Sequence, residues 1–141
     1  MAKITLNNIA HSYDGGSSYA LKAMSHEWLD GGAYALLGPS GCGKTTLLNI
    51  ISGLLQPSQG QLLFDDVDVS HLPTEQRNIA QVFQFPVLYD TMTVAENLAF
   101  PLRNRRGADK LSAMEIDHRV QQAIAMLGLD ALAGRKARGL S

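Results

Sequence analysis

Gly38-Pro-Ser-Gly-Cys-Gly-Lys-Thr45 is the stretch that decides the fold of this chain. It matches the pattern G-x-x-x-x-G-K-[S/T] at every defined position. The preceding run, Ala33–Leu37, is short and continuously apolar, which is typical of a strand buried on both faces of a sheet. The following segment, Lys44–Ser52, has a helical pattern that Gly53 ends. A glycine-rich turn with a Lys-Thr pair could arise by chance, but a full match between a strand and a helix favours a phosphate-binding loop.

The residue types of this loop explain why it suits a phosphate chain. Gly38, Gly41 and Gly43 permit tight turns that direct backbone N–H groups inward, and the positive end of the next helix adds to their field. Lys44 places a charge on the β- and γ-phosphates, and the Thr45 hydroxyl suits Mg²⁺. The candidate nucleotide-binding residues of the loop are Gly38, Pro39, Ser40, Gly41, Cys42, Gly43, Lys44, Thr45 and Thr46.

Length and composition set the broad class. The chain has 141 residues, of which 45% are hydrophobic and 18% charged, so it can bury a core the size of one domain. Its formal net charge of −1 excludes a uniformly basic nucleic-acid-binding surface, and no nucleic-acid partner is expected. Residues 1–100 carry 4 Lys/Arg and 9 Asp/Glu, whereas residues 101–141 carry 8 and 4. This asymmetry predicts two parts that have different roles or belong to different subdomains.

The cysteine count and the hydropathy of the chain indicate its redox compartment and whether it has a membrane-spanning segment. Cys42 is the only cysteine, so an intrachain disulfide is impossible and a reducing compartment is expected. The first residues lack the apolar segment of a signal peptide. The longest apolar-rich stretch, Leu47–Leu55, is interrupted by polar residues and is far shorter than the ~20 residues of a membrane helix. No membrane-spanning segment is expected.

The remaining pattern predicts strands first and helices later. Further strands are expected at Lys3–Ile9, Ala20–Leu29, Gln61–Phe64 and Ile79–Phe83, with a turn at Asp65-Asp66. The pattern becomes helical after Pro86, and a boundary between subdomains is expected near Gln84–Pro86. The sequence therefore predicts an α/β domain whose strand-rich part precedes a helical part.

Two helices are expected in the second part. Thr93 and Glu96 have the spacing of a capping box, and Pro101 is expected to end or kink the helix that they begin. Ser112 and Glu115 repeat this spacing at the start of a helix that ends at Gly128. Its apolar residues form one stripe: Ile116, Val120, Ala123, Ile124 and Leu127.

With these motifs, the sequence resembles the nucleotide-binding subunit of ABC transporters along essentially its whole length. The phosphate loop continues into Thr-Leu-Leu48 in the family's form. His11-Ser-Tyr13 lies where the family carries an aromatic residue that stacks on adenine. Val82-Phe-Gln84 resembles the family's Q-loop, 40 residues after Lys44, and Met92–Leu98 resembles the segment that follows it.

The resemblance implies a fold class and a set of roles. The fold is α/β, with a P-loop NTPase core and an antiparallel β subdomain, followed by the start of an α-helical subdomain in an incomplete domain. Residues 1–84 would form the nucleotide-binding core, and residues 85–141 the exit from the Q-loop and the start of the helical subdomain. ATP and Mg²⁺ are the implied cofactors. Tyr13 would stack on the base, Thr45 would contact Mg²⁺, and Gln84 would contact Mg²⁺ or the attacking water.

The resemblance also implies partners. Transmembrane permease subunits would dock on Phe85–Leu98, and a second ATP-binding subunit would complete a dimer at the cytoplasmic face of the inner membrane. Arg77–Gln84 and Asn97–Leu102 resemble the branch that imports carbohydrates or polyols, including its glycerol-type members. Simpler interpretations stay open, because Tyr13 and the apolar residues after Gln84 also suit a core.

The rest of the family's machinery is expected after residue 141. Gly139-Leu-Ser141 resembles the start of the signature loop. The acidic strand, the carboxylate that polarises water and the switch histidine are not found in residues 1–141. We therefore expect weak nucleotide binding at best and no significant turnover by this chain alone. We also expect poor solubility or association, because an apolar strand would lack a neighbour. A non-catalytic fragment that docks on a membrane subunit is the main alternative. A small P-loop kinase would have no use for Val82-Phe-Gln84.

Overall fold

The computed structural model describes residues 2–85, 87–105, 110–138 and 140. Gly139 and Ser141, at the expected start of the signature loop, lie outside the described residues, as does Pro86. The chain divides into two compact units, one ending at Gln81 and the other beginning at Val82. The assignment of 1–84 and 85–141 as functional domains stays a prediction, and each unit is described by itself.

The first unit contains a four-stranded sheet. Its strands are β1 (Ile4–His11), β2 (Leu21–Trp28), β3 (Gln59–Phe64) and β4 (Val67–Asp68). Their order is β2-β1-β3-β4, and every pair is antiparallel. Asp65 and Asp66 join β3 to β4 with φ angles of 47° and 66°, the left-handed backbone that a tight hairpin requires. Three predicted strands and this predicted turn are confirmed.

Helix α1 (Lys44–Ser52) shares the core of the first unit with the sheet. Leu47 and Ile50 are buried in one apolar cluster with Leu6 and Ile9 of β1 and Leu62 of β3. The helix has the predicted bounds and ends at Gly53, whose φ of 82° is the left-handed conformation of a helix C-cap. This packing fixes the helix that follows the glycine-rich loop.

Two predicted strands do not form, and both expectations were wrong. Ala33–Leu37 has no strand structure and every residue from 31 to 41 is exposed, whereas a buried central strand was expected. Ile79–Phe83 also has no strand structure, and Val82 is 96% exposed. A strand requires a neighbour for its N–H and C=O groups, and among the described residues no strand pairs with either segment.

An open groove lies beside the first of these segments. It has a volume of about 1010 Å³, and its lining includes Tyr34 and Leu36 together with Leu48 and Ile51 of α1. Leu36 and Leu48 are 40% and 49% exposed. The segment Ala33–Leu37 thus has the composition of a buried strand, but its side chains are exposed.

Arg77 is a buried cation in the same unit, with 4% of its surface exposed. Its guanidinium donates hydrogen bonds to the carbonyl oxygens of Ile50 (2.7 Å), Ile51 (3.2 Å), Ser70 (3.1 Å) and Leu72 (2.8 Å). Burial lowers the pKa of Arg77 from its ordinary value. Because Ile50 and Ile51 lie in the last turn of α1, Arg77 satisfies carbonyls at the negative end of that helix and ties it to the segment after β4.

The second unit is helical. Helix α2 (Val94–Arg103) packs against α3 (Ala113–Leu127) through Ala99, Val120 and Ile124. Single turns of 3-10 helix lie at Thr74–Gln76 in the first unit and at Asp130–Leu132 here. Among the described residues, no helix combines the length and apolarity needed to cross a membrane.

The ends of these helices test the sequence signals. Ser112 accepts a hydrogen bond from the N–H of Glu115, and Gly128 ends α3 with a φ of 65°, as predicted. Pro101 does not end α2, which continues to Arg103. A proline inside a helix removes one backbone hydrogen bond, and only Leu102 and Arg103 follow it in α2, so little of this helix lies beyond the lost bond.

Thr93→Ala is expected to lower the free energy of unfolding of the helical unit by about 1 kcal/mol. Thr93 accepts a hydrogen bond from the N–H of Glu96 (3.1 Å), and Glu96 accepts one from the N–H of Thr93 (2.7 Å), which completes the predicted capping box. Chemical denaturation followed by far-ultraviolet circular dichroism measures the change. Thr91→Ala, at an exposed neighbouring threonine, is the control, and equal effects of the two substitutions would contradict the capping role.

Candidate nucleotide-binding site

The glycine-rich loop takes conformations that require its glycines. Gly41 and Gly43 have φ angles of 79° and 92°. A Cβ added at Gly43 would also lie 2.6 Å from the carbonyl oxygen of Ala20, and one added at Gly38 would lie 2.5 Å from Cys42 Sγ. Glycine at these positions lets the backbone turn tightly without a steric clash.

The N-terminus of α1 is open to an anion. The N-cap residue is Gly43, which has no side chain to accept a hydrogen bond from the first N–H groups of the helix. The first turn has no acidic residue. The other two helices differ, because Thr93 and Ser112 cap them and each has a glutamate in its first turn. The partial positive charge at the start of α1 is therefore not neutralised by a protein carboxylate in its first turn or by a capping side chain.

Lys44 lies against the loop itself. Its ammonium group donates hydrogen bonds to the carbonyl oxygens of Gly38 and Pro39, both at 2.7 Å, and lies 3.5 Å from Cys42 Sγ. Pro39 and Ser40 are exposed on the loop. Both carbonyl oxygens are neutral, so a phosphate oxygen that carries a full charge would be the stronger acceptor for this ammonium group.

Tyr13 lies at the first turn of α1. Its hydroxyl is 3.2 Å from Thr46 Oγ1, and its ring contacts that of His11. Tyr13 is 66% exposed, while Thr46 is buried and Thr45 is exposed. The structure thus brings Tyr13 into contact with Thr46, another residue that the sequence singled out, at the first turn of the helix that follows the loop.

The turn after Tyr13 is built around the carboxylate of Asp14. Asp14 accepts hydrogen bonds from the Ser12 hydroxyl (2.6 Å) and from the N–H (3.0 Å) and hydroxyl (2.8 Å) of Ser18, and Ser12 Oγ accepts one from the N–H of Gly16. The Ser12 hydroxyl and the two Ser18 groups hold the pKa of the Asp14 carboxyl well below its usual value of 3.8. The ionised carboxylate therefore organises this turn.

Asp14→Asn is expected to destabilise the first unit in a pH-dependent way. Because the folded-state pKa of Asp14 is lowered, its contribution is fully present above the unfolded pKa near 4 and is lost as the pH falls toward the folded-state value. The difference in unfolding free energy between wild type and variant should stay constant from pH 7 to pH 5 and shrink below about pH 4. Urea titrations followed by fluorescence of Trp28, the only tryptophan, measure it. Glu75→Gln, at an exposed carboxylate of the same unit, is the control, and a difference unchanged at pH 3 would contradict this role of Asp14.

The expected Q-loop and docking segment belong to the second unit. Gln84 and Phe85 are exposed and lie in a bend of the chain. Val87, Leu88 and Tyr89 are 72%, 60% and 49% exposed, so these apolar side chains are at the surface and not in a core.

Asn97 fixes the backbone of this apolar segment. Its carboxamide accepts a hydrogen bond from the N–H of Tyr89 (2.9 Å) and donates to the carbonyl oxygens of Tyr89 (3.1 Å) and Thr93 (3.0 Å). The sequence placed Asn97 only within a family segment. The hydrogen-bonding roles of Asn97 in the second unit and of Asp14 and Arg77 in the first were missed. The sequence holds a signal for one of them, because an aspartate before Gly-Gly-Ser-Ser favours a side-chain-stabilised turn.

A comparison with protein families settles the family of the chain. The model of the ABC transporter family matches residues 21–141. The chain belongs to the ABC transporter family. The resemblance expected from the phosphate loop and the Q-loop segment is thereby confirmed.

Relatives of known assignment are similar over most of this chain. The trehalose/maltose import ATP-binding protein MalK of Thermococcus litoralis is 46% identical over 132 residues, 89% of this chain and 34% of that protein. The sn-glycerol-3-phosphate import ATP-binding protein UgpC 3 of Agrobacterium fabrum is 43% identical over 141 residues, which are 100% of this chain and 38% of that protein. The sulfate/thiosulfate import ATP-binding protein CysA of Caulobacter vibrioides is 47% identical over 122 residues, which are 86% of this chain and 36% of that protein. The chain spans little more than a third of the length of these relatives.

Solved structures show the same fold. The dimeric bacterial ABC transporter cassette MJ0796 has a TM-score of 0.81 and 34% identity, and the match covers 98% of this chain and 63% of that one. Its post-hydrolysis state bound to ADP and Pi has the same TM-score and 33% identity, with the same coverage. The predicted fold class, an incomplete α/β P-loop NTPase domain with an antiparallel β subdomain and the start of a helical one, is confirmed.

Proposed function

We propose that this chain is the nucleotide-binding part of the ATP-binding subunit of an ABC importer. The observation that carries the proposal is the loop Gly38–Thr45 at a helix N-terminus that no side chain caps, with the ammonium group of Lys44 hydrogen-bonded to two carbonyl oxygens of the loop. The alternative, a fragment that only docks on a membrane subunit, is supported by the exposed apolar residues after Gln84 but leaves this loop without a purpose.

Different residues would contact different parts of the nucleotide. The backbone N–H groups of Gly41, Gly43 and the first turn of α1 would hold the phosphates, and Lys44 would contact the β- and γ-phosphates. The exposed Thr45 hydroxyl fits Mg²⁺, which would neutralise phosphate charge when bound, and Thr46 would lie near the α-phosphate. The exposed ring of Tyr13 offers a face for adenine.

The second unit would contribute a contact to Mg²⁺ or the attacking water and a surface for partner subunits. Gln84 would contact Mg²⁺ or the attacking water, as the family resemblance implies. The exposed apolar segment Phe85–Leu98 would receive the transmembrane permease subunits at the cytoplasmic face of the inner membrane. A second ATP-binding subunit would complete the assembly, as the dimeric cassette MJ0796 suggests.

The solute is a carbohydrate, a polyol or a related compound in this proposal. Two of the relatives are named for trehalose/maltose and for sn-glycerol-3-phosphate import, which supports that branch. A third is named for sulfate/thiosulfate import at a similar identity of 47%. Since this stretch of sequence is shared by importers of different solutes, solute choice is expected to lie in the membrane and solute-binding subunits.

Cys42 provides a direct test of nucleotide binding. Its exposed thiol lies 3.5 Å from Lys44 Nζ, within the loop, and it is the only cysteine of the chain. Mg-ATP should slow the reaction of Cys42 with a maleimide several-fold, and the adduct should block later ATP binding sterically. Labelling is measured by mass spectrometry, with AMP as the control ligand because it lacks the β- and γ-phosphates. An unchanged labelling rate at saturating ATP, or unchanged ATP affinity of the adduct, would contradict the proposal.

A further inference from the structure

His11 is a buried histidine that the phosphate loop does not use. It is the last residue of β1, is 7% exposed, and follows an irregularity in the pairing of β1 with β2 between Ile9 and His11. Such an irregularity re-aims the side chains that follow it. Two residues later the chain emerges at Tyr13, which is 66% exposed.

One side of the His11 ring is held by Ser58. Its Nδ1 lies 3.3 Å from Ser58 Oγ, which also accepts a hydrogen bond from the N–H of Ser12 (3.1 Å) and donates to the carbonyl oxygen of Ser12 (3.2 Å). Ser58 in turn donates its own N–H to the carbonyl oxygen of Ala10. These contacts fix the backbone on both sides of His11 and orient its ring.

The other nitrogen of His11 is unusual. Its Nε2 is buried and has no hydrogen-bond partner among the described residues. A buried polar atom without a partner lowers stability, so an apolar side chain would fill this space more favourably. Core packing therefore does not explain a histidine here.

The ring of His11 contacts the ring of Tyr13. The centroids are 4.5 Å apart and the planes meet at 81°, the edge-to-face geometry that aromatic pairs prefer. The hydroxyl of Tyr13 is 3.2 Å from Thr46 Oγ1. Tyr13 is thus held at its ring by His11 and at its hydroxyl by the helix that follows the phosphate loop, although most of its surface is exposed.

We infer that His11, oriented by Ser58, is a positioning residue that holds the Tyr13 ring where a nucleotide base stacks on it. This inference rests on the proposed function and adds to it a division of labour. The loop Gly38–Thr46 binds the phosphates, and the pair His11–Tyr13 supplies the preference for a ligand that carries a base. Loss of the His11 ring frees Tyr13 to take other orientations, which weakens stacking and leaves the phosphate contacts intact.

The test compares two ligands on the full chain, Mg-ATP and Mg-tripolyphosphate, by isothermal titration calorimetry. His11→Ala should weaken ATP binding about tenfold and leave tripolyphosphate affinity unchanged. His11→Phe keeps a flat ring beside Tyr13 and should show a smaller loss, whereas His11→Gln keeps a polar group for Ser58 and should resemble alanine. Equal weakening of both ligands, no weakening of either, or rescue by glutamine and not by phenylalanine would overturn the inference.

The same variants separate this inference from the proposed function. Lys44→Ala should weaken both ligands, and if wild-type chain binds neither, the proposed function fails. Independently of any ligand, the Tyr13 ring-proton resonances should shift in His11→Ala and His11→Gln and stay in place in the control Lys22→Ala, at an exposed residue of β2. Unchanged Tyr13 resonances would overturn the positioning role whatever the binding result.

Discussion

Lys44→Ala is expected to weaken the binding of Mg-ATP to this chain by about 10- to 100-fold. A hydrogen bond to a charged group contributes about 1.5–3 kcal/mol, and each 1.4 kcal/mol is a factor of ten in affinity. Lys44 is the cation of the loop, and its ammonium group already lies at the carbonyl oxygens of Gly38 and Pro39. Equilibrium binding of a fluorescent ATP analogue, with ATP as competitor, measures the loss.

The structure also predicts that this loss is not caused by unfolding. Gly38 and Pro39 are exposed, so water can satisfy their carbonyl oxygens once the ammonium group is removed. Lys22→Ala removes the same charge from an exposed position of β2 and is the matched control. ATP affinity that is equal in Lys44→Ala and Lys22→Ala would show that the loop does not bind the phosphates.

Arg77→Ala is expected to have the largest effect on stability, lowering the free energy of unfolding of the first unit by about 3 kcal/mol or more. The substitution leaves four carbonyl oxygens without the guanidinium that they share: those of Ile50, Ile51, Ser70 and Leu72. It also creates a cavity beneath Gly53, where an added Cβ would lie 2.7 Å from Arg77 Nε.

Urea denaturation followed by Trp28 fluorescence measures this effect, because Trp28 packs against the core of the first unit. Lys22→Ala is again the control, since it removes a positive charge that is exposed in the same unit. Arg77→Lys should lie between alanine and wild type, because an ammonium group cannot reach all four carbonyls as the planar guanidinium does. A loss below about 1 kcal/mol in Arg77→Ala would contradict its structural role.

The features that the sequence predicted correctly depend on neighbouring residues. The bounds of α1, its end at Gly53 and the capping box at Thr93 and Glu96 follow from residues within one or two turns of each other. The phosphate loop is local in the same sense. Signals of this kind need no information about the rest of the chain.

The wrongly predicted strands and the residues whose roles were missed depend on partners distant in the sequence. Ala33–Leu37 has the composition of a buried strand, but composition does not supply the adjacent strands that bury it. Arginine is a residue type that usually lies at the surface, and only the fold shows that four carbonyls from two segments, the end of α1 and the residues after β4, converge on Arg77. The role of His11 also depends on a distant residue, because Ser58, which orients its ring, lies 47 residues away in the sequence.

Binding of nucleotide phosphates by the loop Gly38–Thr46 can be followed at each loop residue by an amide NMR titration with Mg-ATP. We predict saturable shifts that are largest at the N–H groups of Gly41, Gly43, Lys44 and Thr45 and that Mg-tripolyphosphate reproduces. In Lys44→Ala the same shifts should require about 10- to 100-fold more ligand. Shifts confined to residues outside the loop and α1, or no saturable shift with wild-type chain, would contradict the claim.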